Sequence, residues 1–521
     1  MIVRITVLLI WVVLLALLFG RDYLVEELQL RESAALEKGR ETSFAGVYFQ
    51  NERIGFVRSR FSPLKEEANE AGLLLEQDAY LLLNILGEQH PVRMRLKAGL
   101  DSAQLLRDFD FSLISPFAET RARGVVEKGV LRLELDTPRG VRHERIPLER
   151  PPRIATSRRA YLLDQELNPG SRVRLDYFDP VSLAGQQRIL EYRGREQVVI
   201  NGRIYNLHRF SETYAGIRIS LWLDDDGRMI KEESPAGFTF LAEPEFRATD
   251  IPRAGPEILT SVSVPLHGQL PPDIEQRSSM GYILEKGTES ELDLRADLQL
   301  EGGRQQLKEN TLTIQRESWP PPATASPCIP RTYQSGTHPT AGTPPSPSAS
   351  RISPISEELS PAVSGALAST THVRSDAPEI VAQAREIAAE ADSAVAQVEL
   401  LAAWVYHQME KRPVLGIPDS LSILANPVGD CNEHATLFAA LARSLGLPTK
   451  IAAGVVYQEN AFFYHAWNEV CLDNRWYSVD TTLNQLPADL THLRLISGET
   501  AEMIRLGGVL GNLAISIVPT R

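Results

Sequence analysis

The stretch that decides how this chain reads is Gly429–Pro448, GDCNEHATLFAALARSLGLP. A cysteine, an asparagine, a glutamate and a histidine stand in a row and lead straight into an apolar helical run that stops at Gly446. Three readings of Cys431 are open: one end of a metal pair with His434, a buried core thiol, or a nucleophile. A structural zinc site takes four Cys or His ligands, and no second Cys/His pair lies nearby, since His407, His465 and Cys471 each stand alone. No metal is therefore expected. As a nucleophile the cysteine is well placed. The Gly429-Asp430 loop sets it at a helix N-terminus, where the macrodipole and free N–H groups favour a thiolate. Its pKa, ~8.5 in free cysteine, would fall by several units beside an imidazolium.

A histidine and a group to orient it follow in YHAWNEVCLDNRWYSVD, residues 464–480. With a two-residue hairpin turn at Asp473-Asn474, Trp467 faces Asp480 across the ladder. His465 and Asp480 are then diagonal neighbours, roughly 7–8 Å apart at Cα and within side-chain reach. The aspartate takes one ring nitrogen and leaves the other for the thiol. The same register sends Cys471 about 20 Å along the strand from His465 at ~3.3 Å per residue, which argues against a Cys431–Cys471 disulfide. Other roles stay open. Asn432, Glu433 and His434 either shape the pocket or form a solvated first turn, and Tyr464 and Trp467 either line a groove or belong to the core.

Helices surround this unit on its N-terminal side. In SDAPEIVAQAREIAAEA, residues 375–391, Asp376 is expected to cap, Pro378 suits the first turn and Glu379 completes a capping box. In AVAQVELLAAWVYHQMEKR, residues 394–412, Val395, Val398, Ala402 and Val405 form one stripe. Three β-like runs follow Pro448: KIAAGVVYQ, AFFYHAWNEVCL and RWYSVDTT. Helices followed by an antiparallel sheet make an α+β unit.

The segments GDCNEHATLFAALARSLGLPTKIAAGVVY, YHAWNEV and RWYSVDTT resemble the transglutaminase-like superfamily of papain-like cysteine enzymes, over about Asp376 to Gly498. The resemblance implies a Cys431, His465, Asp480 catalytic triad and a nucleophile-bearing helix packed on an antiparallel sheet. It also implies attack on an amide or peptide carbonyl to give an acyl-enzyme, as a protease, an amidase or an amine acyltransferase, with no cofactor. The layout is similar to membrane-anchored bacterial members with a β-rich segment ahead of the domain. The alternative is a catalytically silent binding or scaffolding module of the cell envelope.

The chain around this unit reads as multidomain, an all-β N-terminal region plus an α+β papain-like/transglutaminase-like C-terminal domain. Residues 44–255 are short alternating runs broken by turn chemistry, with hairpins expected at Asn51-Glu52, Lys128-Gly129, Pro138–Gly140, Asn201-Gly202 and Asp226-Gly227. Asp224, Asp225, Asp226 and Gly227 resemble the start of a calcium loop, but no alternating oxygen ligands or closing glutamate follow. A second β segment covers 256–316. A Pro/Ser/Thr-rich linker covers 317–372, where Cys328 is expected to be exposed and incidental, so that disulfides are not the framework. The catalytic domain is assigned to 373–500 and a C-terminal tail to 501–521.

Location and partners follow from the ends of the charge pattern. Ile5 to Gly20 carries no charge and would span about 24 Å as a helix, a little short of a ~30 Å hydrocarbon core. Arg4 and Arg21 can snorkel to complete a membrane anchor over residues 1–21, with a cleaved signal peptide as the competing reading. Arg4 precedes the span and Asp22, Glu26 and Glu27 follow Arg21, which puts the bulk of the chain outside the cytoplasm, in the periplasm or at the cell surface. A net charge of -13 repels phosphate backbones and argues against nucleic acid as a partner, leaving a protein or peptide substrate, with the cell envelope as one source.

Overall fold

A computed structural model of the 521-residue chain describes residues 41–319, 324–328 and 361–518, apart from short stretches within them. The anchor expected at residues 1–21 lies outside the described residues, and among those described no helix is long and apolar enough to cross a membrane. Fourteen strands, from β1 (Glu41–Phe49) to β14 (Phe238–Glu243), form one antiparallel sheet. β1 pairs with both β2 (Glu52–Leu64) and β14, so two meanders join side by side. The turns obey their chemistry. Asn201-Gly202 and Lys128-Gly129 join directly paired strand ends, with positive φ at all four residues. The first hairpin turns one residue earlier than expected, at Gln50-Asn51, because Phe49 pairs with Glu52. Asp224 accepts from the backbone N–H groups of Asp226 and Arg228, a turn rather than an ion loop. The segment after the eighth strand crosses the sheet and buries Ile154, Tyr161 and Leu162 in its cores.

The second sheet has nine strands and ignores the boundary that composition draws at 317–372. β15 (Val264–His267), β16 (Ser279–Lys286), β17 (Gln305–Lys308) and β18 (Thr311–Gln315) share it with β21 (Thr449–Gln458), β22 (Ala461–Leu472), β23 (Arg475–Val479) and β24 (Leu493–Ser497), while β19 (Glu410–Lys411) and β20 (Val428–Gly429) pair only with each other. Leu513–Ile517, within the stretch read as a tail, is β25 and pairs with both β15 and β16. Short apolar runs such as LAISI carry no sign of which sheet they complete.

The expected linker needs a second correction. Glu317 accepts from the Ser478 backbone N–H at 3.2 Å, and Trp319 Nε1 donates to Glu399 at 2.9 Å. Ser326 and Asp473 exchange hydrogen bonds of 2.9 Å, which seats Cys328 on Cys471 in a disulfide with both residues buried. Cys328 is thus neither exposed nor incidental, and Cys431 is the free thiol. A Pro/Ser-rich segment too poor to build a core can still be ordered by docking on an existing hairpin. Residues 329–360 lie outside the described residues.

Four helices pack in the C-terminal unit: α1 (Pro378–Ile387), α2 (Ala394–Gln408), α3 (Ser420–Ala425) and α4 (Cys431–Ser444). Ala377, not Asp376, occupies the N-cap position of α1, and Asp376 instead pairs with Ser369 and Arg374. The α2 stripe of Val395, Val398, Ala402 and Val405 is buried as its spacing requires. α4 ends with Gly446 in the left-handed region (φ 78) and the Leu447 N–H returned to the Ala442 carbonyl. The N-terminal sheet touches this unit through Arg142, which donates to the Thr371 carbonyl at 2.6 Å and lies 3.7 Å from Asp419.

Candidate active site

The site begins with how α4 starts. The Asp430 side chain accepts from the Asn432 N–H at 3.0 Å, and Glu433 accepts from the Asp430 N–H at 3.0 Å, a capping box that fixes the first turn. Glu433 is therefore buried structure and not a solvated turn residue. His434 is buried as well, its Nδ1 donating to the Asp430 carbonyl at 2.7 Å, and burial holds its pKa below the ordinary histidine value. Its Nε2 is buried without a hydrogen-bond partner among the described residues. Asn432 accepts from the Tyr464 hydroxyl at 2.7 Å, tying the helix start to β22.

β22 is paired along one edge by β21, whereas on the other edge β15 meets only Ala461 and Phe462 and β23 begins at Asn468. Among the described residues no strand pairs with 463–467 on that edge, and this gap receives the first turn of α4. The Ala466 backbone lies near the Cys431 sulfur and favours its thiolate. The neighbouring residue, His465, points Nε2 to Asp480 Oδ2 at 2.7 Å. The hairpin turns at Asp473-Asn474, both with positive φ, and Asn468 pairs with Val479, the register that places Trp467 opposite Asp480. His465 and Asp480 are thus brought into direct contact, and Cys431 is seated against the residue next to His465.

A carboxylate only accepts, so Nε2 of a neutral His465 carries the proton and Nδ1 keeps the lone pair. Asp480 is fully engaged. Its Oδ1 accepts from the N–H groups of Thr482 (2.7 Å) and Leu483 (2.9 Å). Its Oδ2 also accepts from His492 Nε2 at 2.9 Å. Burial alone would raise the Asp480 pKa, but the two histidines outweigh it and hold the group well below the carboxylate range.

The thiol departs from expectation. Burial pushes the Cys431 pKa well up, Asp430 pushes it further, the Ala466 backbone opposes, and Glu433 and Asp480 add to the rise. The helix N-terminus is thus outweighed by desolvation and three carboxyl groups, and the resting sulfur is a neutral thiol. These three residues are also enclosed, with Cys431 9%, His465 5% and Asp480 2% exposed. A cavity of about 1000 Å³ lies elsewhere, at the far end of α4 among Leu298, His372, Arg443 and Glu499.

One residue escaped the sequence reading. His492 is fully buried between Asp480 and Asp489, and nothing in DLTHLRL signals it beyond an aspartate three residues ahead. Trp467, left open between groove and core, is core: 1% exposed, stacked on His465 at 6.2 Å and edge-on to His492 at 5.2 Å. His465, Asp480 and His492 also bring three possible ligand atoms within 4.8 Å of one another. Their contacts are hydrogen bonds of ordinary length, 2.7 and 2.9 Å, and we assign no metal ligand there.

Residues 381–481 match the family model of the transglutaminase-like superfamily. Among solved structures, a candidate cysteine protease from Cytophaga hutchinsonii is similar at 20% identity and a TM-score of 0.27, over 32% of this chain and 58% of that one. A β-barrel-like protein of a domain family of unknown function from Brucella abortus matches at 11% identity and a TM-score of 0.29, over 39% and 94%. A candidate protease from Parabacteroides distasonis matches at 8% identity and a TM-score of 0.19, over 69% and 63%. The chain thus spans less than two thirds of the first and third of these neighbours. No curated protein matches it. With TM-scores this low, the assignment rests on the family model. The chain carries a transglutaminase-like domain behind a large all-β region.

Proposed function

We propose that this domain is a cysteine enzyme with Cys431 as nucleophile, His465 as acid–base and Asp480 as the group that orients His465, on a papain-like α+β framework. The observation that carries the reading is the 2.7 Å His465–Asp480 bond on the strand against which the Cys431-bearing helix packs. Starting from a neutral thiol, the Cys431 proton passes to His465 Nδ1 as sulfur attacks the carbonyl carbon of an amide or peptide. The C–N bond then breaks, the leaving amine takes that proton, and an acyl-enzyme remains. Water, or an acceptor amine, gives its proton to His465 and displaces the thiol. The Cys431 backbone N–H, at the helix start, is a candidate oxyanion donor. The buried Cys328–Cys471 disulfide supports export to an oxidising compartment, and with the apolar segment at 5–20 it favours a membrane-anchored, extracytoplasmic enzyme acting on envelope protein or peptide.

A second reading, the silent binding or scaffolding module, draws on the enclosed triad and the neutral thiol. Labelling of the full chain by a thiol-directed reagent at neutral pH separates the two. The enzyme reading expects Cys431 to be modified and the rate to fall at least tenfold in His465→Ala, because base assistance contributes roughly 10²–10⁴ in such transfers. Equal rates in the two proteins would remove His465 from the role of base. A substrate survey scoring release of ammonia or amine, with Cys431→Ala as control, then tests turnover directly.

A further inference from the structure

His492 stands outside the triad, yet its ring is 0% exposed and both of its nitrogens face carboxylates. Nε2 lies 2.9 Å from Asp480 Oδ2 and Nδ1 3.0 Å from Asp489 Oδ1. Asp489 is itself held by the Thr491 backbone N–H at 2.8 Å, the Thr491 hydroxyl at 2.6 Å and Gln485 Nε2 at 3.1 Å. Ionised carboxylates offer no proton, so both bonds are complete only if both ring nitrogens carry one. We propose that His492 is a resident imidazolium and a positioning residue of this site, sharing Asp480 Oδ2 with His465 and so setting the protonation at which His465 and Cys431 work.

The inference rests on the triad reading above and deepens it. The two histidines share one carboxylate oxygen, and their rings lie 5.6 Å apart, centroid to centroid, so a charge on His492 sits directly beside His465. A single negative charge on Asp480 would otherwise act on His465 alone. The ring is also fixed by Trp467, edge-on at 5.2 Å.

Other charged and titratable groups near His492 are accounted for. Arg304, behind it, donates to the His492 carbonyl at 3.2 Å and to the Ala488 carbonyl, and lies 3.7 Å from Glu317. Tyr282 donates to the Leu490 carbonyl at 2.9 Å. None of these contacts reaches the ring. Burial by itself would lower the His492 pKa, but Asp480 and Asp489 outweigh it and hold the group above its ordinary value.

The test has two arms. In the first, long-range nitrogen–proton NMR of the imidazoles in the full chain reads protonation without requiring turnover. Both His492 nitrogens are expected to be protonated through neutral pH, and a single protonated nitrogen at pH 7 overturns the proposal. In the second arm, the pH profile of Cys431 labelling is compared in wild type, His492→Gln and Asp489→Asn. Glutamine keeps a donor to Asp480 and removes the charge. Asparagine can donate its amide N–H to Nδ1, which lets His492 go neutral with its remaining proton on Nε2. Loss of a buried cation raises the pKa of every group near it, so the pH limbs of labelling move to higher pH in both variants. A role that is only structural lowers amplitude or stability and leaves the limbs in place, which also overturns the proposal. Should His492→Gln fail to fold, Asp489→Asn and the NMR of the wild type decide. If no amide substrate is ever turned over but His492 is doubly protonated and the limbs move, the inference stands while the enzyme reading falls.

Discussion

Each sheet of this molecule buries a cluster of charge, and the two clusters are built from different cations. In the N-terminal sheet, Arg159 binds Glu212 at 2.7 Å and Glu232 at 3.0 Å, and Arg188 binds the other Glu212 oxygen at 2.5 Å. In the second sheet, Asp480 lies between His465 and His492, with Asp489 behind. Both arrangements cost desolvation that only close pairing offsets. The Arg159 and Arg188 guanidiniums keep their protons at any pH the protein survives, so that cluster can hold shape but cannot move a proton. An imidazole, unlike a guanidinium, can take up and release a proton, so a cluster built on histidines has the chemistry for acid–base work.

Breaking each cluster at its shared carboxylate should therefore give opposite signatures. Asp480→Asn is expected to cut turnover on the order of 10³-fold or more, because His465 loses the partner that fixes its tautomer. Glu212→Gln should leave turnover and the pH profile of Cys431 labelling in place. It should instead destabilise the fold by roughly 3–5 kcal/mol, because Arg159 and Arg188 lose their common anion in a dry site. Denaturant titration and activity on the same two proteins decide it. A large loss of turnover in Glu212→Gln at matched folded fraction would erase the distinction.

The two clusters also differ in how far they could be read ahead. Cys431, His465 and Asp480 were legible because they lie on a short hairpin and one adjacent helix start, where the two-residue periodicity and the Asp473-Asn474 turn fix who faces whom. The strands of the first sheet were legible for the same local reason, from turns such as Asn201-Gly202. His492 was not, because its partners are set by a loop after β23 whose path no periodicity dictates. Nor was Arg159, whose anions lie 53 and 73 residues away on separate strands. β25, the shared sheet and the Cys328–Cys471 bond are likewise pairings at long range, decided by which edge remains open once the core has formed. The low thiol pKa failed for another reason: the helix dipole was counted, and the burial of Cys431 beside Asp430, Glu433 and Asp480 was not.

Only the second sheet holds a covalent cross-link among the described residues, and the comparison sharpens there. The Cys328–Cys471 bond joins residues 143 apart in sequence, and in a chain-entropy account such a closure stabilises by about 2–5 kcal/mol. Cys328→Ser, or reductant on the wild type, should lower protection of the β22 and β23 amides in hydrogen exchange while β1 and β2 keep theirs. Equal loss in both sheets would mean that they unfold as one unit.

The smallest expected effect lies at the helix cap. Asp430 is the strongest charged contributor, after burial, to the raised pKa of Cys431, and it also caps α4. Asparagine caps about as well as aspartate, so Asp430→Asn should change stability by no more than about 0.5 kcal/mol. The negative charge next to the sulfur disappears, however, and less work is then needed to form the thiolate. Labelling of Cys431 should accordingly begin at lower pH in Asp430→Asn than in wild type, the reverse of the shift expected for His492→Gln. The two substitutions remove charges of opposite sign. If both moved the profile the same way, the site would be responding to packing and not to charge, and its likeness to the inert arginine cluster would be closer than its geometry implies.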